Sequence, residues 1–245
     1  MPTKQYDRGN PVSCALGIYP SLALLELNPG CARKLMLDDR GIGSDGVERL
    51  TSQCALLNVS VETAPRALKR ISGKDNCFAA IEFDKAKACK PVDPSKPHVV
   101  LVEPSDQGNV GTILRSMAGF DLGDLVLIGS AADVFDPRTV RASMGALFAC
   151  RVSAFDGGNG FERYREAFPS HTVYPFMLGA ALTLNEAAAS HDCMYALVFG
   201  NEGSGLPERF SSIGTPVMIP QRGTIDSLNL AVAASIAMYA FTTTN

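Results

Sequence analysis

Residues 98–129, HVVLVEPSDQGNVGTILRSMAGFDLGDLVLIG, decide the fold class. HVVLV is an apolar run with no polar alternation, as in a strand buried on both faces. A turn-rich loop follows, and GNVGTILRSMAGF then sets Ile113, Leu114 and Met117 on one side at helical spacing. DLVLIG is a second buried strand. The same rhythm continues through PRTVRASMGALF (helix, residues 137–148), CRVSAF (strand), GFERYREAF (helix) and TVYPFML (strand). It runs on through TLNEAAAS (helix), YALVFG (strand), LPERFS (short helix), TPVMIP (strand) and SLNLAVAASIAMYAF (helix, residues 227–241). Strands separated by helices pair in parallel, so the expectation is an α/β domain over residues 97–245 whose parallel sheet is covered on both faces.

Upstream, DKAKACKPVDPSKP (residues 84–97) carries three prolines among Lys85, Lys87, Lys90 and Lys96. Proline removes a backbone donor and lysines prefer water, so this stretch reads as a solvated linker. Before it, LALLELNP and GVERLTSQCALLN read as helices, the second with Val47, Leu50, Cys54 and Leu57 on one face. RKLMLDD, NVSVE and CFAAIEF read as strands, and APRALKRI as a short helix opened by Pro65. The predicted division is a small α/β domain over 1–85, a linker over 86–96 and a second domain over 97–245.

The 245 residues are 46% hydrophobic and 19% charged, with a net charge of −3. This composition disfavours disorder, and a chain this long buries ~70% of its unfolded surface without staples. The small negative charge argues against indiscriminate, charge-driven nucleic-acid binding. The average hides an asymmetry: Lys+Arg number 13 against 10 Asp+Glu up to residue 90, and 9 against 15 beyond it. The seven cysteines form no C-x-x-C pair, and His98, His171 and His191 stand apart. Free buried thiols in a reducing compartment and no metal site are expected. The first ten residues lack an apolar signal core and no apolar run reaches membrane-spanning length, so a cytoplasmic protein is expected.

In open parallel sheets, ligands bind beyond the carboxyl ends of the strands. Three such ends are rich in Gly, Asn and Ser: EPSDQGNVGTILR (103–115), FGNEGSGLP (199–207) and IPQRGTIDSLN (219–229). In the first, Asn109 sits at a helix mouth whose free N–H groups suit an anion, with Arg115 further along the same helix. An Asn turn and a solvated Arg is the plain alternative. In the second, Glu202 occupies the first Gly position of a G-x-S-x-G elbow, and Glu208 the last of a G-x-G-x-x-G loop. No Walker A pattern occurs. An acyl hydrolase, an ordinary dinucleotide binder and a P-loop NTPase thus lose their main support. In the third, Ser227 reads plainly as an N-cap, with Asn229 two residues on.

Together the three segments closely resemble the TrmH/SpoU group of the SPOUT superfamily of RNA methyltransferases. The family pattern N-x-G-x-x-x-R is matched by Asn109, Gly111 and Arg115. A strand ending in G-x-E-G is matched by Gly200, Glu202 and Gly203. I-P-x-x-G-x-x-x-S-L-N is matched by Ile219, Pro220, Gly223, Ser227, Leu228 and Asn229. Residues 137–148 also look like a family segment. The N-terminal part is similar to the substrate-binding domain, of ribosomal-protein-like fold, that often precedes the catalytic domain.

The resemblance implies S-adenosylmethionine-dependent methylation of a ribose 2′-hydroxyl in structured RNA, ribosomal or transfer RNA, with the added N-terminal domain favouring ribosomal RNA. It implies a deep trefoil knot, a homodimer formed through the catalytic domain and no metal. By position, Gly200, Ile219 and Leu228 hold the cofactor. Arg115 matches the family's catalytic arginine, as the proton acceptor or, since a guanidinium stays protonated, as a phosphate clamp that orients the hydroxyl. Asn109 orients Arg115 or the ribose, Glu202 holds Arg115 or a partner-chain group, and Ser227 and Asn229 bind the nucleotide or brace the knot. Gln221 departs from the family's usual methionine, and Leu230-Ala231 from its frequent Val-Ser. An RNA-binding protein without catalysis and a nicotinamide-dependent oxidoreductase are the competing classes.

Overall fold

The computed structural model describes residues 6–88, 90–222 and 226–244. The chain forms two compact units, Met1–Cys89 with Asp133–Ala149, and Lys90–Ala132 with Cys150–Asn245.

The first unit begins with β1 (Val12–Leu16), α1 (Ile18–Leu27), β2 (Ala32–Leu37) and α2 (Asp45–Leu56). It continues with β3 (Ser60–Thr63), α3 (Pro65–Ser72), β4 (Ala79–Asp84) and the single turn α4 (Lys85–Ala88). The strands order β1-β4-β2-β3, with β4 antiparallel to both neighbours and β3 parallel to β2. Val47, Leu50 and Cys54 of α2 are buried as their spacing predicts, whereas Leu57 lies past the helix and is exposed. Helix α3 starts on Pro65 and ends where Gly73 turns left-handed at φ 61°. Its Leu68 is buried against Leu16, Met36 and Ala80.

The rest of the chain runs β5 (His98–Val102), α5 (Gln107–Gly119), β6 (Asp124–Ile128), α6 (Pro137–Ala142) and β7 (Arg151–Phe155). Then come α7 (Gly160–Ala167), β8 (Thr172–Pro175), β9 (Leu182–Thr183), α8 (Leu184–Ala188), β10 (Tyr195–Phe199), β11 (Val217–Met218) and α9 (Leu230–Thr243). The second unit holds the expected sheet, five parallel strands in the order β7-β6-β5-β10-β8. One face packs Val100, Val126 and Val198 against Phe161, Tyr164 and Phe210. On the other, Tyr174 and Tyr195 meet Phe241 of α9. Helices α5 and α9 lie against each other, joined by a 2.7 Å hydrogen bond between the Ser116 and Ser235 hydroxyls.

Several expectations need correction. The helix expected over 137–148 stops at Ala142, because Met144 and Gly145 take φ of 54° and 89°. A Cβ on Gly145 would lie 2.4 Å from Ala23 Cβ, so glycine permits close approach to α1. This segment belongs to the first unit, where α6 packs on β1 and Phe148 meets Phe83 edge-on at 5.1 Å. Periodicity shows that a helix has an apolar face, not which core receives it. The linker is also more ordered than its prolines suggest. Lys85 is buried, donates to the Arg8 carbonyl at 3.0 Å and lies over the Tyr6 ring. Val92 is part of the second unit's core. The strand expected over 215–220 shrinks to β11, which pairs with β9 apart from the main sheet. The last helix, expected over 227–241, starts later and ends later, as α9 over Leu230–Thr243. Of the six described cysteines, five are buried and Cys193 is exposed. Among the described residues no helix is long and apolar enough to cross a membrane, and no His, Cys, Asp or Glu group is arranged to hold a metal.

Candidate functional site

Strands β5 and β10 are parallel neighbours, with Phe199 beside Leu101. Beyond β5 the sheet continues with β6 and β7, and beyond β10 with β8, so the order reverses between these two strands. The loops after β5 and β10 therefore emerge side by side, where an open parallel sheet has its natural crevice.

The loop after β10 is tightly closed. Asn201 and Gly205 exchange backbone hydrogen bonds of 2.9 and 3.2 Å, and the Asn201 carboxamide oxygen accepts from Gly203 N at 2.8 Å. Asn201 Nδ2 donates to the Glu103 carbonyl at 2.8 Å, tying this loop to the end of β5. Gly200 faces the Gly205 backbone so closely that a Cβ would lie 2.1 Å from Gly205 C. This glycine is required by loop closure.

Glu202 spans the two loops. Its Oε2 accepts from Ser105 N at 2.9 Å and Ser105 Oγ at 2.8 Å. Its Oε1 accepts from Asp106 N at 3.0 Å and Asn109 Nδ2 at 3.2 Å. The anion expected at the start of α5 is thus supplied by the chain itself, with Asp106 as the cap on Asn109 N at 2.7 Å. Burial would raise the Glu202 pKa. Backbone N–H donors from Ser105, Glu202 itself and Asp106, together with Asn109, overcome that and lower it to about 2. A depressed carboxylate stabilises the fold fully above its unfolded value of about 4.5 and loses that contribution as pH falls toward 2. Glu202→Gln is therefore expected to lower stability by about 2 kcal/mol at neutral pH, one lost charge-assisted hydrogen bond. The gap from the parent chain should close between pH 4.5 and 2. Denaturant titration at several pH values checks both, and equal stability at pH 7 would contradict the assignment.

Asn229 completes the connection. Its Oδ1 caps α9 by accepting from Ala231 N at 2.9 Å, while its Nδ2 donates to Asn109 Oδ1 at 3.0 Å. Asn109, Glu202 and Asn229, one from each motif, therefore form a single chain of hydrogen bonds. Three expectations change. Asn229, not Ser227, is the N-cap, and the helix begins three residues after Ser227. Asn109 spends both polar atoms of its carboxamide on Glu202 and Asn229. Glu202 spends both oxygens on the β5–α5 loop, so neither residue holds Arg115. Arg115 is exposed on α5 and makes no hydrogen bond or ion pair among the described residues.

Beside this network lies a cleft of about 460 Å³, a volume that suits a small-molecule ligand. Gly200, Ile219 and Leu228 line it, as do Glu202 and Ser227. Phe176 and Phe199, stacked 4.6 Å apart, form part of its apolar wall. Gln221 also lines it, and its carboxamide oxygen is buried with no hydrogen-bond partner among the described residues. Gly223 lies outside the described residues. Ser105, Asp106, Asn201 and Phe176 were not singled out from sequence. Asp106 carried the signal of a cap three residues before Asn109, while the other three owe their place to loop pairing across the sheet.

Residues 96–239 match the SpoU rRNA Methylase family. The chain is 30% identical over 151 residues to a 23S rRNA (uridine(2479)-2′-O)-methyltransferase of Streptomyces viridochromogenes, covering 58% of this chain and 50% of that protein. It is 30% identical over 152 residues to the 23S rRNA (guanosine(2553)-2′-O)-methyltransferase RlmP of Bacillus subtilis, covering 58% and 56%. The matches thus span about half the length of these curated relatives. A crystal structure of an AdoMet-bound rRNA methyltransferase from Sinorhizobium meliloti superposes with a TM-score of 0.76 at 26% identity, covering 94% of this chain and 87% of that one. With more than half of its length matched by the family, the chain belongs to the SpoU rRNA methylases.

Proposed function

We propose that this chain transfers a methyl group from S-adenosylmethionine to a ribose 2′-hydroxyl of ribosomal RNA. The observation that carries the proposal is the cleft at the β5/β10 crevice, lined by residues of the second and third motifs and tied to the first through Asn109–Glu202–Asn229. The cleft suits the cofactor in volume, in its apolar wall and in the unpartnered Gln221 oxygen, which would accept a hydrogen bond from a cofactor amine or hydroxyl. Gly200, Ile219 and Leu228 would hold the cofactor along the cleft. When bound, the cofactor supplies an electrophilic sulfonium methyl.

The residues of the chain then have to position a weak nucleophile. Arg115 would grip a phosphate beside the target ribose in the bidentate manner of a guanidinium and aim the 2′-hydroxyl. Asn109, Glu202 and Asn229 would act as positioning residues that fix α5, and with it Arg115, against the cofactor loop. Ser227, exposed at the cleft, would hydrogen-bond the nucleotide. We further propose the family's trefoil knot for the C-terminal segment and a substrate-binding role for the first unit. A homodimer is supported by α9, where Val232, Ile236 and Tyr239 are 48%, 39% and 57% exposed. Their spacing puts them on one face of the helix. A ribosomal RNA substrate supports a cytoplasmic location.

Incubation with 23S rRNA and S-adenosylmethionine labelled in its methyl group tests the reading. Label is expected on the RNA. Unlabelled RNA together with binding of a nicotinamide cofactor would overturn the proposal in favour of an oxidoreductase.

A further inference from the structure

The basic side chains of the first unit are unevenly answered. Lys34 pairs with Glu62 at 3.0 Å, Arg40 with Asp38 at 2.8 Å, Lys85 with Asp133 at 3.9 Å and Arg138 with Asp136 at 2.8 Å. Helix α3 differs. Its buried side carries Leu68, with Ala67 and Ile71 packed against the same core. Arg66, Lys69 and Arg70 are exposed. At about 100° per residue they fall within ~100° of arc, opposite Leu68. Lys74 is exposed just past the Gly73 turn and extends the same end of the helix. Arg66, Arg70 and Lys74 have no ion pair among the described residues. Lys69 meets Asp75 at 2.9 Å, but both side chains are at least 70% exposed, so the pair is weak and readily exchanged for another anion.

We infer that the exposed face of α3, formed by Arg66, Lys69 and Arg70 with Lys74, docks the phosphate backbone of the substrate RNA away from the reacting nucleotide. The inference rests on the methyltransferase reading and adds to it a specific contact surface. Cations spaced three and four residues apart on one helix face form a compact row that suits a polyanion, and no carboxylate lies within the helix to neutralise it. Phosphate contacts fix register without reading sequence, so this face would supply affinity and orientation while the α5 and β10 loops supply chemistry.

Point substitution tests this more cleanly than deletion of residues 1–90, which would strip Asp133–Ala149 of its packing partners. The full chain carrying Arg66→Gln, Arg70→Gln and Lys74→Gln is compared with a control of equal charge change elsewhere in the unit, Arg33→Gln, Arg49→Gln and Lys87→Gln. Binding to 23S rRNA is measured as a function of salt, with S-adenosylmethionine affinity and thermal melting as checks on the cleft and the fold. The α3 triple is expected to weaken RNA binding more than 10-fold. It should reduce the slope of log affinity against log salt by roughly 2, since each phosphate contact contributes about 0.7–0.9. KM for RNA should rise while kcat and cofactor affinity hold. The Arg66→Lys, Arg70→Lys double variant, with native Lys74, should bind nearly as well as the parent. Equal losses in the two triples would show that total charge, not this face, matters, and would overturn the inference. So would an α3 triple that binds as the parent does. A parent chain that binds S-adenosylmethionine but no rRNA would instead remove the functional reading beneath it.

Discussion

Arg115→Ala is expected to lower methyl transfer by at least about 10³-fold, the scale of losing one group that stabilises a transition state, while leaving S-adenosylmethionine affinity within twofold. The separation follows from geometry. Arg115 stands on α5, six residues from Asn109, which places the two side chains ~120° apart around the axis and about 9 Å apart along it. Asn109 is committed to Glu202 and Asn229, whereas Arg115 is exposed and does not line the cleft. Its loss therefore leaves the cofactor loop and its hydrogen bonds intact. Arg115→Lys should restore only a small part of the activity, because a point charge does not replace a planar fork on phosphate. Single-turnover transfer combined with cofactor calorimetry measures the two effects separately. Unchanged turnover would remove Arg115 from the mechanism.

Gly200→Ala is expected to abolish cofactor binding and to cost about 3 kcal/mol of stability, the upper end for forced overpacking. A Cβ there would lie 2.1 Å from Gly205 C and 2.3 Å from both Gly205 O and Leu206 N. Every obstacle is backbone, so no rotamer change relieves the clash. The loop must open, and Glu202 would then leave the start of α5. Gly203→Ala is the matched control. A Cβ there meets only Asn201 Oδ1, at 3.5 Å, and should cost less than about 1 kcal/mol. Denaturant unfolding and cofactor titration of the pair check this. Two variants behaving alike would contradict the account of the loop.

The parallel sheet was legible because its strands are buried on both faces and its helices keep their apolar spacing. Val99 to Val102 and Ile113, Leu114 and Met117 are each buried as their pattern demands. The destination of residues 137–148 was not legible, since an apolar face fits either core and the decision rests with tertiary partners such as Phe83. Burial of Lys85 was hidden for a related reason: a lysine run predicts solvent unless the chain brings a carbonyl and an aromatic ring to one member. In the site, the family resemblance grouped Gly200, Ile219 and Leu228, and all three line one cleft. The partners of Glu202 and Asn109 were invisible, because they depend on β5 and β10 lying side by side, a matter of strand order rather than sequence distance.

Mapping 2′-O-methyl groups in rRNA from cells with and without the gene reads out ribose methylation of ribosomal RNA itself. One or a few ribose methyl groups are expected to vanish with the gene and to return with the parent chain, but not with Arg115→Ala. Identical methylation maps from the two cell lines would contradict that activity.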